Sequence, residues 1–155
     1  MGVLETHELV NAQCSAFDLK EIGIENTIRE LDSRRLVHAG TGRTMADAAA
    51  PAYLKTPNGT VALVASASGL IAAGARAGAA HPGVNELRVD AGNRQNNATD
   101  DLPGAPPNTA NAEDAQRILQ AIREARQRAD IVIVYQHNHV FGDRSFSTIF
   151  TEGMP

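Results

Sequence analysis

The sequence has no tryptophan, one cysteine and only six aromatic residues (two Tyr and four Phe) in 155 positions. The single cysteine, Cys14, can form no internal bridge, which excludes the disulfide-stapled secreted scaffolds. No apolar run approaches the roughly 20 residues that a helix needs to cross a bilayer, so no membrane span is expected. Met1-Gly2-Val3-Leu4-Glu5 lacks the basic and apolar regions of a secretory leader, and a cytoplasmic location is the expectation for the chain as it stands. Positive charge is also short. Lys and Arg number 14 against 18 Asp and Glu, a net charge of −4, so the basic face of a nucleic-acid binder is missing. What is present is a 43% hydrophobic composition with 13 Gly. A chain of this length buries roughly 68–70% of its unfolded surface, enough for one domain over residues 1–155 without disulfides or a structural metal.

Local patterns order the chain as α/β. Glu8 to Asn11 is a brief apolar stretch, a possible strand. Asp18 three residues before Glu21 has capping-box spacing, and Ile24, Ile28 and Leu31 behind it form one helical stripe that Arg34 and Arg35 close. Leu36-Val37-His38-Ala39 reads as a short buried strand. Thr44 with Asp47 caps an Ala-rich helical turn that Pro51 stops. The Pro57-Asn58-Gly59 turn between two apolar runs predicts a β-hairpin, with the Thr60 to Ser66 strand buried on both faces.

Periodicity then vanishes from residue 67 to 111, the span of a long irregular insertion. Asn111 with Asp114 caps a third helix, whose stripe is Ala115, Ile118, Leu119, Ile122 and Ala125 and whose far face carries Arg117, Arg123, Glu124 and Arg126. Ile131-Val132-Ile133-Val134-Tyr135 is a β-branched run of the kind found in central parallel strands. Helices alternating with strands imply helices packed on a sheet.

Chemistry concentrates where that last strand ends, at Gln136-His137-Asn138-His139. Ligands of open α/β sheets bind at the carboxyl ends of strands. Alternate residues of an extended chain share a side, so His137 and His139 could face one divalent transition metal, with Zn, Mn and Fe all suited to imidazole. Asp143 and Glu152 follow as oxygen ligand or base. The competing reading makes one or both histidines surface or hydrogen-bonded residues of a strand end. Gly40-Thr41-Gly42-Arg43-Thr44 joins a strand to a helix N-terminus, either as an anion-binding loop built on Gly40, Gly42, Arg43 and Thr44 or as a tight glycine turn. It lacks the third glycine of a dinucleotide fingerprint. Cys14, near a helix start, is a possible nucleophile or a small buried thiol. Tyr135, Phe141, Phe146 and Phe150 hold four of the six aromatic rings, as a pocket wall or as an apolar surface for another chain.

From Phe17 to Ser66, and again from Ile131 to His139, the chain resembles the CapA family of capsule and poly-γ-glutamate synthesis. The resemblance is carried by Ala16-Phe17-Asp18-Leu19 with Gly23-Ile24, and by Leu36-Val37-His38-Ala39-Gly40-Thr41-Gly42-Arg43. Ala48, Pro51, Val61-Ala62-Leu63-Val64 and Asp130-Ile131-Val132-Ile133-Val134 with Gln136-His137 follow in the family's order. It implies a metallophosphatase-like fold and a metal-dependent, phosphoesterase-like hydrolase acting on a small-molecule or peptide-like substrate. The family's strand-end histidine, a metal ligand, falls on His137. Its Asn-Asn-His motif falls on Gln13, Cys14 and Ser15, which replace it. By the same resemblance the opening metal strand would precede Met1 and the last histidine motif would follow Pro155. A two-metal centre needs ligands from several strands. Two functions therefore stand side by side: a shortened metal-dependent hydrolase, or a catalytically degenerate module that binds a ligand or assembles as a homodimer or higher oligomer. New chemistry on the old scaffold through Cys14 or the histidine pair is a third. The missing flanks also imply sheet edges that must be paired or covered.

Overall fold

The computed structural model describes residues 9–11, 19–69, 71–90 and 109–138. Helix α1 (Lys20–Ser33) starts without a side-chain cap at Leu19 and buries Ile24 and Ile28, two members of the predicted stripe; Asp18 lies outside the described residues. Strand β1 (Leu9–Asn11) pairs in parallel with β2 (Val37–Ala39). β3 (Thr41–Gly42) leads into the single-turn helix α2 (Met45–Ala49). The predicted capping box is formed there: Thr44 Oγ1 accepts from the Asp47 backbone N–H and Asp47 Oδ2 accepts from that of Thr44, each at 3.1 Å.

The predicted hairpin is present as β4 (Ala52–Thr56) and β5 (Gly59–Ser68), antiparallel around a Pro57-Asn58 turn, with Gly59 already paired to Thr56. Gly59 takes φ 137°, a value that disfavours any side chain, and Asp130 Oδ2 accepts the neighbouring Thr60 N–H at 2.7 Å. β5 outruns its predicted end. It reaches Ser68, and the segment read as irregular contains β6 (Gly83–Val84), β7 (Glu86–Leu87), β8 (Val89–Asp90) and β9 (Thr109–Ala110). Two-residue strands are too short to leave a period in the sequence, which is why they were invisible there.

Helix α3 (Ala112–Arg128) is capped by Asn111, whose side chain accepts from the Asp114 N–H at 3.2 Å. Its buried face is Asp114, Ile118, Ala121 and Ala125, rotated from the predicted stripe so that Leu119 is exposed. Strand β10 (Ile131–Asn138) follows and pairs with β5 in parallel, residue for residue from Ile131↔Val61 to Asn138↔Ser68. The main sheet is thus mixed, in the order β10-β5-β4, with β7 beside the far end of β5.

Its two faces have different covers. Ala62 and Val64 of β5 pack with Ile118, Ala121 and Ala125 of α3, joined by Tyr53, Leu87, Ile122 and Val132. On the opposite face Leu63 and Ala65 meet Ala39 of β2 and Ala52. β5 is therefore buried on both sides, as predicted. Among the described residues β10 is not the central strand its composition suggests. Among the described residues it pairs only with β5, and Ile131 (58%), Ile133 (46%), Val134 and Tyr135 are exposed. The fold is α/β, consistent with a metallophosphatase-like domain. Among the described residues no helix is long and apolar enough to cross a membrane.

Candidate strand-end site

Because β5 and β10 run parallel and in register, their carboxyl ends coincide at Ser68 and Asn138. The apolar α3 face turns polar at this point. Gln136 Nε2 donates to Ser68 Oγ at 2.9 Å, and Ser68 Oγ donates to Asn138 Oδ1 at 2.9 Å. Ser66 and Ser68 are both buried, and the Ser68 hydroxyl, used as donor and acceptor, carries no cost of an unmade bond. His137 stands beside Ala67, half-buried, on the other face of the sheet, since Val132 five residues earlier packs toward α3.

The glycine loop belongs to the same end of the fold. Asn85, fully buried, joins the two. Its backbone N–H donates to Gly40 O at 2.9 Å, and its carbonyl accepts from Ala67 N–H at 3.0 Å. Its side chain donates to Ala65 O at 2.8 Å and accepts from Arg117 Nε at 3.1 Å. Gly40, Asn85, Ala67 and His137 are therefore consecutive across the strand ends. Gly40 has φ 95°, and a Cβ on Gly42 would collide with the backbone of Asp47 and Ala48. So both glycines of the loop have a steric reason. Arg43 lies 3.8 Å from Glu25 and 3.8 Å from Asp32, and Asp32 Oδ1 also lies 3.2 Å from His38 Nε2. Thr41 Oγ1 and His38 Nδ1 are buried without a hydrogen-bond partner among the described residues.

A second polar centre fixes this arrangement, and sequence reasoning missed it. Asp114 is fully buried and gathers three arginines. Arg76 Nη2 donates to Oδ1 at 2.8 Å and its Nη1 to Oδ2 at 3.1 Å. Arg88 donates to Oδ2 through Nε at 2.7 Å and through its backbone N–H at 3.1 Å, and Arg117 Nη1 donates to Oδ1 at 2.6 Å. Burial pushes the Asp114 carboxyl up, but the hydrogen bonds from Arg76, Arg88 and Arg117 outweigh it and hold it well below the usual carboxylate range. The hydrogen bond to Asp114 raises Arg88 in turn. Arg117, expected on the outer face of α3, turns inward to this centre and also donates to Glu86 O at 2.5 Å. The capping signal at Asn111–Asp114 located the residue but not its role.

His139, Asp143, Glu152 and Cys14 lie outside the described residues, as do Phe141, Phe146 and Phe150. Among the described residues no group of three or more His, Cys, Asp or Glu side chains is gathered closely enough to hold a metal ion. His137 is the described imidazole that stands at the strand ends. The donor chemistry there suits a borderline divalent ion as one ligand of a larger set.

Two proteins of Sinorhizobium fredii (strain NBRC 101917 / NGR234), the uncharacterized proteins y4sH and y4uA, are each 28% identical to this chain over 160 aligned positions, covering 79% of it. The chain spans about a third (35%) of the length of these curated relatives. The model of the bacterial capsule synthesis protein family PGA_cap matches residues 9–147, from β1 past the end of β10. That match runs through both the glycine loop and the strand-end histidine, and the chain belongs to this capsule synthesis family.

Proposed function

We propose that this chain carries part of a metal-dependent, phosphoesterase-like hydrolase site, with His137 and His139 as ligands of a divalent transition metal (Zn, Mn or Fe). The observation that supports it is the position of His137 at the coincident carboxyl ends of two parallel strands, where α/β sheets hold their ligands. When bound, such a metal activates water and polarises the bond to be hydrolysed. Glu152 completes the ligand set in this reading and Asp143 serves as base. Gly40, Gly42, Arg43 and Thr44, joined to the strand end through Asn85, receive an anionic group of a small-molecule or peptide-like substrate such as poly-γ-glutamate. The test is elemental analysis of protein purified without chelators. One equivalent of metal, lost in His137→Ala, supports the reading. Metal-free wild-type protein, unable to take up Zn or Mn on dialysis, ends it.

The uncovered β10 favours a second reading, a catalytically degenerate member that oligomerises or binds a ligand. Ile131, Ile133 and Tyr135 are exposed beside the site, and an open apolar strand invites pairing with another chain. Light scattering on the eluting protein separates the two. A concentration-dependent dimer that carries no metal is the outcome of this second reading.

A further inference from the structure

His137 sits between two amide side chains, Gln136 and Asn138, and one buried hydroxyl holds both. Alternate residues of an extended chain share a face, so Gln136 and Asn138 project together and His137 projects opposite. Gln136 Nε2 donates to Ser68 Oγ, and Ser68 Oγ donates to Asn138 Oδ1, each at 2.9 Å. Asn138 is the register partner of Ser68, and Gln136 reaches it diagonally from beside Ser66. The residues on either side of His137 are therefore tied to β5 through their side chains as well as through the ladder.

The two ends of this relay have different surroundings. Ser68 is fully buried, whereas Gln136 and Asn138 are exposed. A buried hydroxyl keeps its partners because leaving either bond unmade carries a desolvation cost. The exposed amides have water as an alternative partner, so the relay is anchored from the Ser68 side. Ala67, the register partner of His137, carries only a methyl group. The polar side-chain hold of β5 on this strand end thus comes through Ser68. A metal ligand must be held within about 0.5 Å of its working position, so the fixing of the β10 end bears on what the imidazole can bind.

We propose that Ser68 is a positioning residue for metal binding by His137: through Gln136 and Asn138 it fixes the end of β10 from which the imidazole projects. This rests on the reading of His137 as a metal ligand. Calorimetric titration of Zn into the full chain tests it, using wild type, Ser68→Ala, Gln136→Ala, Ser66→Ala and His137→Ala, with thermal melts of the metal-free proteins alongside. Wild type should bind one equivalent, and His137→Ala should bind none. Ser68→Ala should weaken binding about tenfold, the lower end of what partners behind a metal ligand contribute. Ser66→Ala removes a buried hydroxyl two residues earlier, on the same face and outside the relay, and should bind Zn as wild type does even if its melt shifts. Gln136→Ala breaks the relay from its exposed side and should weaken binding too; it decides the matter if Ser68→Ala fails to fold. Wild-type affinity in Ser68→Ala and Gln136→Ala, with binding lost in His137→Ala, overturns the role of Ser68 and leaves the histidine reading intact. An equal loss in Ser66→Ala and Ser68→Ala also overturns it, because packing alone would then account for the effect. No binding by wild type overturns both.

Discussion

Strands β5 and β10 lie side by side in register, and each carries an apolar, β-branched run. Their surroundings differ completely. β5 has β10 on one side and β4 and β7 on the other, with α3 over one face and β2 over the opposite one. β10, among the described residues, has one neighbour, and four of its first five residues are exposed large hydrophobics. Burial is thus a property of what surrounds a strand rather than of its composition. The same contrast separates the two polar centres. The Asp114 centre is closed, with each carboxylate oxygen engaged by arginine. The strand-end centre is split, with the Gln136–Ser68–Asn138 hydrogen bonds on the α3 face and His137 on the other.

Substitutions on the covered side should cost far more than those on β10. The largest effect is expected for Asp114→Ala, which leaves three arginines facing a lost partner. Breaking a buried pair costs about 3–5 kcal/mol, and the partial exposure of the arginines favours the lower end. A denaturant melt showing less than about 1 kcal/mol would erase the contrast between the two centres. The same residue makes a pH prediction. Its carboxyl is depressed in the folded state, so its contribution is fully present above the unfolded value near 3.9 and is lost as pH falls below it. Thermal melts from about pH 6 down to pH 3 should fall steeply for wild type and less so for Asp114→Asn.

Val64→Ala, at a fully buried position of β5, should cost about 2 kcal/mol. Removing the α3 cap in Asn111→Ala should cost about 1 kcal/mol, read in the same way. The smallest effect belongs to Val134→Ala, paired directly with Val64 but exposed. It should lie within about 0.5 kcal/mol. Equal losses at Val64 and Val134 would mean that β10 is covered in solution, and would turn attention to a second chain on that strand.

The parts of the fold legible in the sequence were those set by local chemistry. The Thr44–Asp47 box, the Asn111 cap, the hairpin around Pro57-Asn58 and the extended run of β10 each depend on a few adjacent residues. What escaped depends on partners distant in the chain. Leu119 and Ala121 exchange places on α3 because the small Ala121 fits against β5. Arg76, Arg88 and Arg117 converge on Asp114 from separations of 38, 26 and 3 residues. Glu86 reaches the strand ends on a two-residue strand with no periodicity to announce it. Of the candidate site, the strand-end position of His137 and the strand-to-helix position of the glycine loop were legible, and their connection through Asn85 was not.

The central claim is that His137 at the end of β10 is a metal ligand, and long-range proton–nitrogen correlation spectra of the histidine rings test it most directly. On addition of one equivalent of Zn, a ring nitrogen of His137 should shift to the position of a metal-bound imidazole while His38 and His81 stay unchanged. Ring signals of His137 that do not move, or Zn-dependent shifts confined to His38 or His81, would contradict the account.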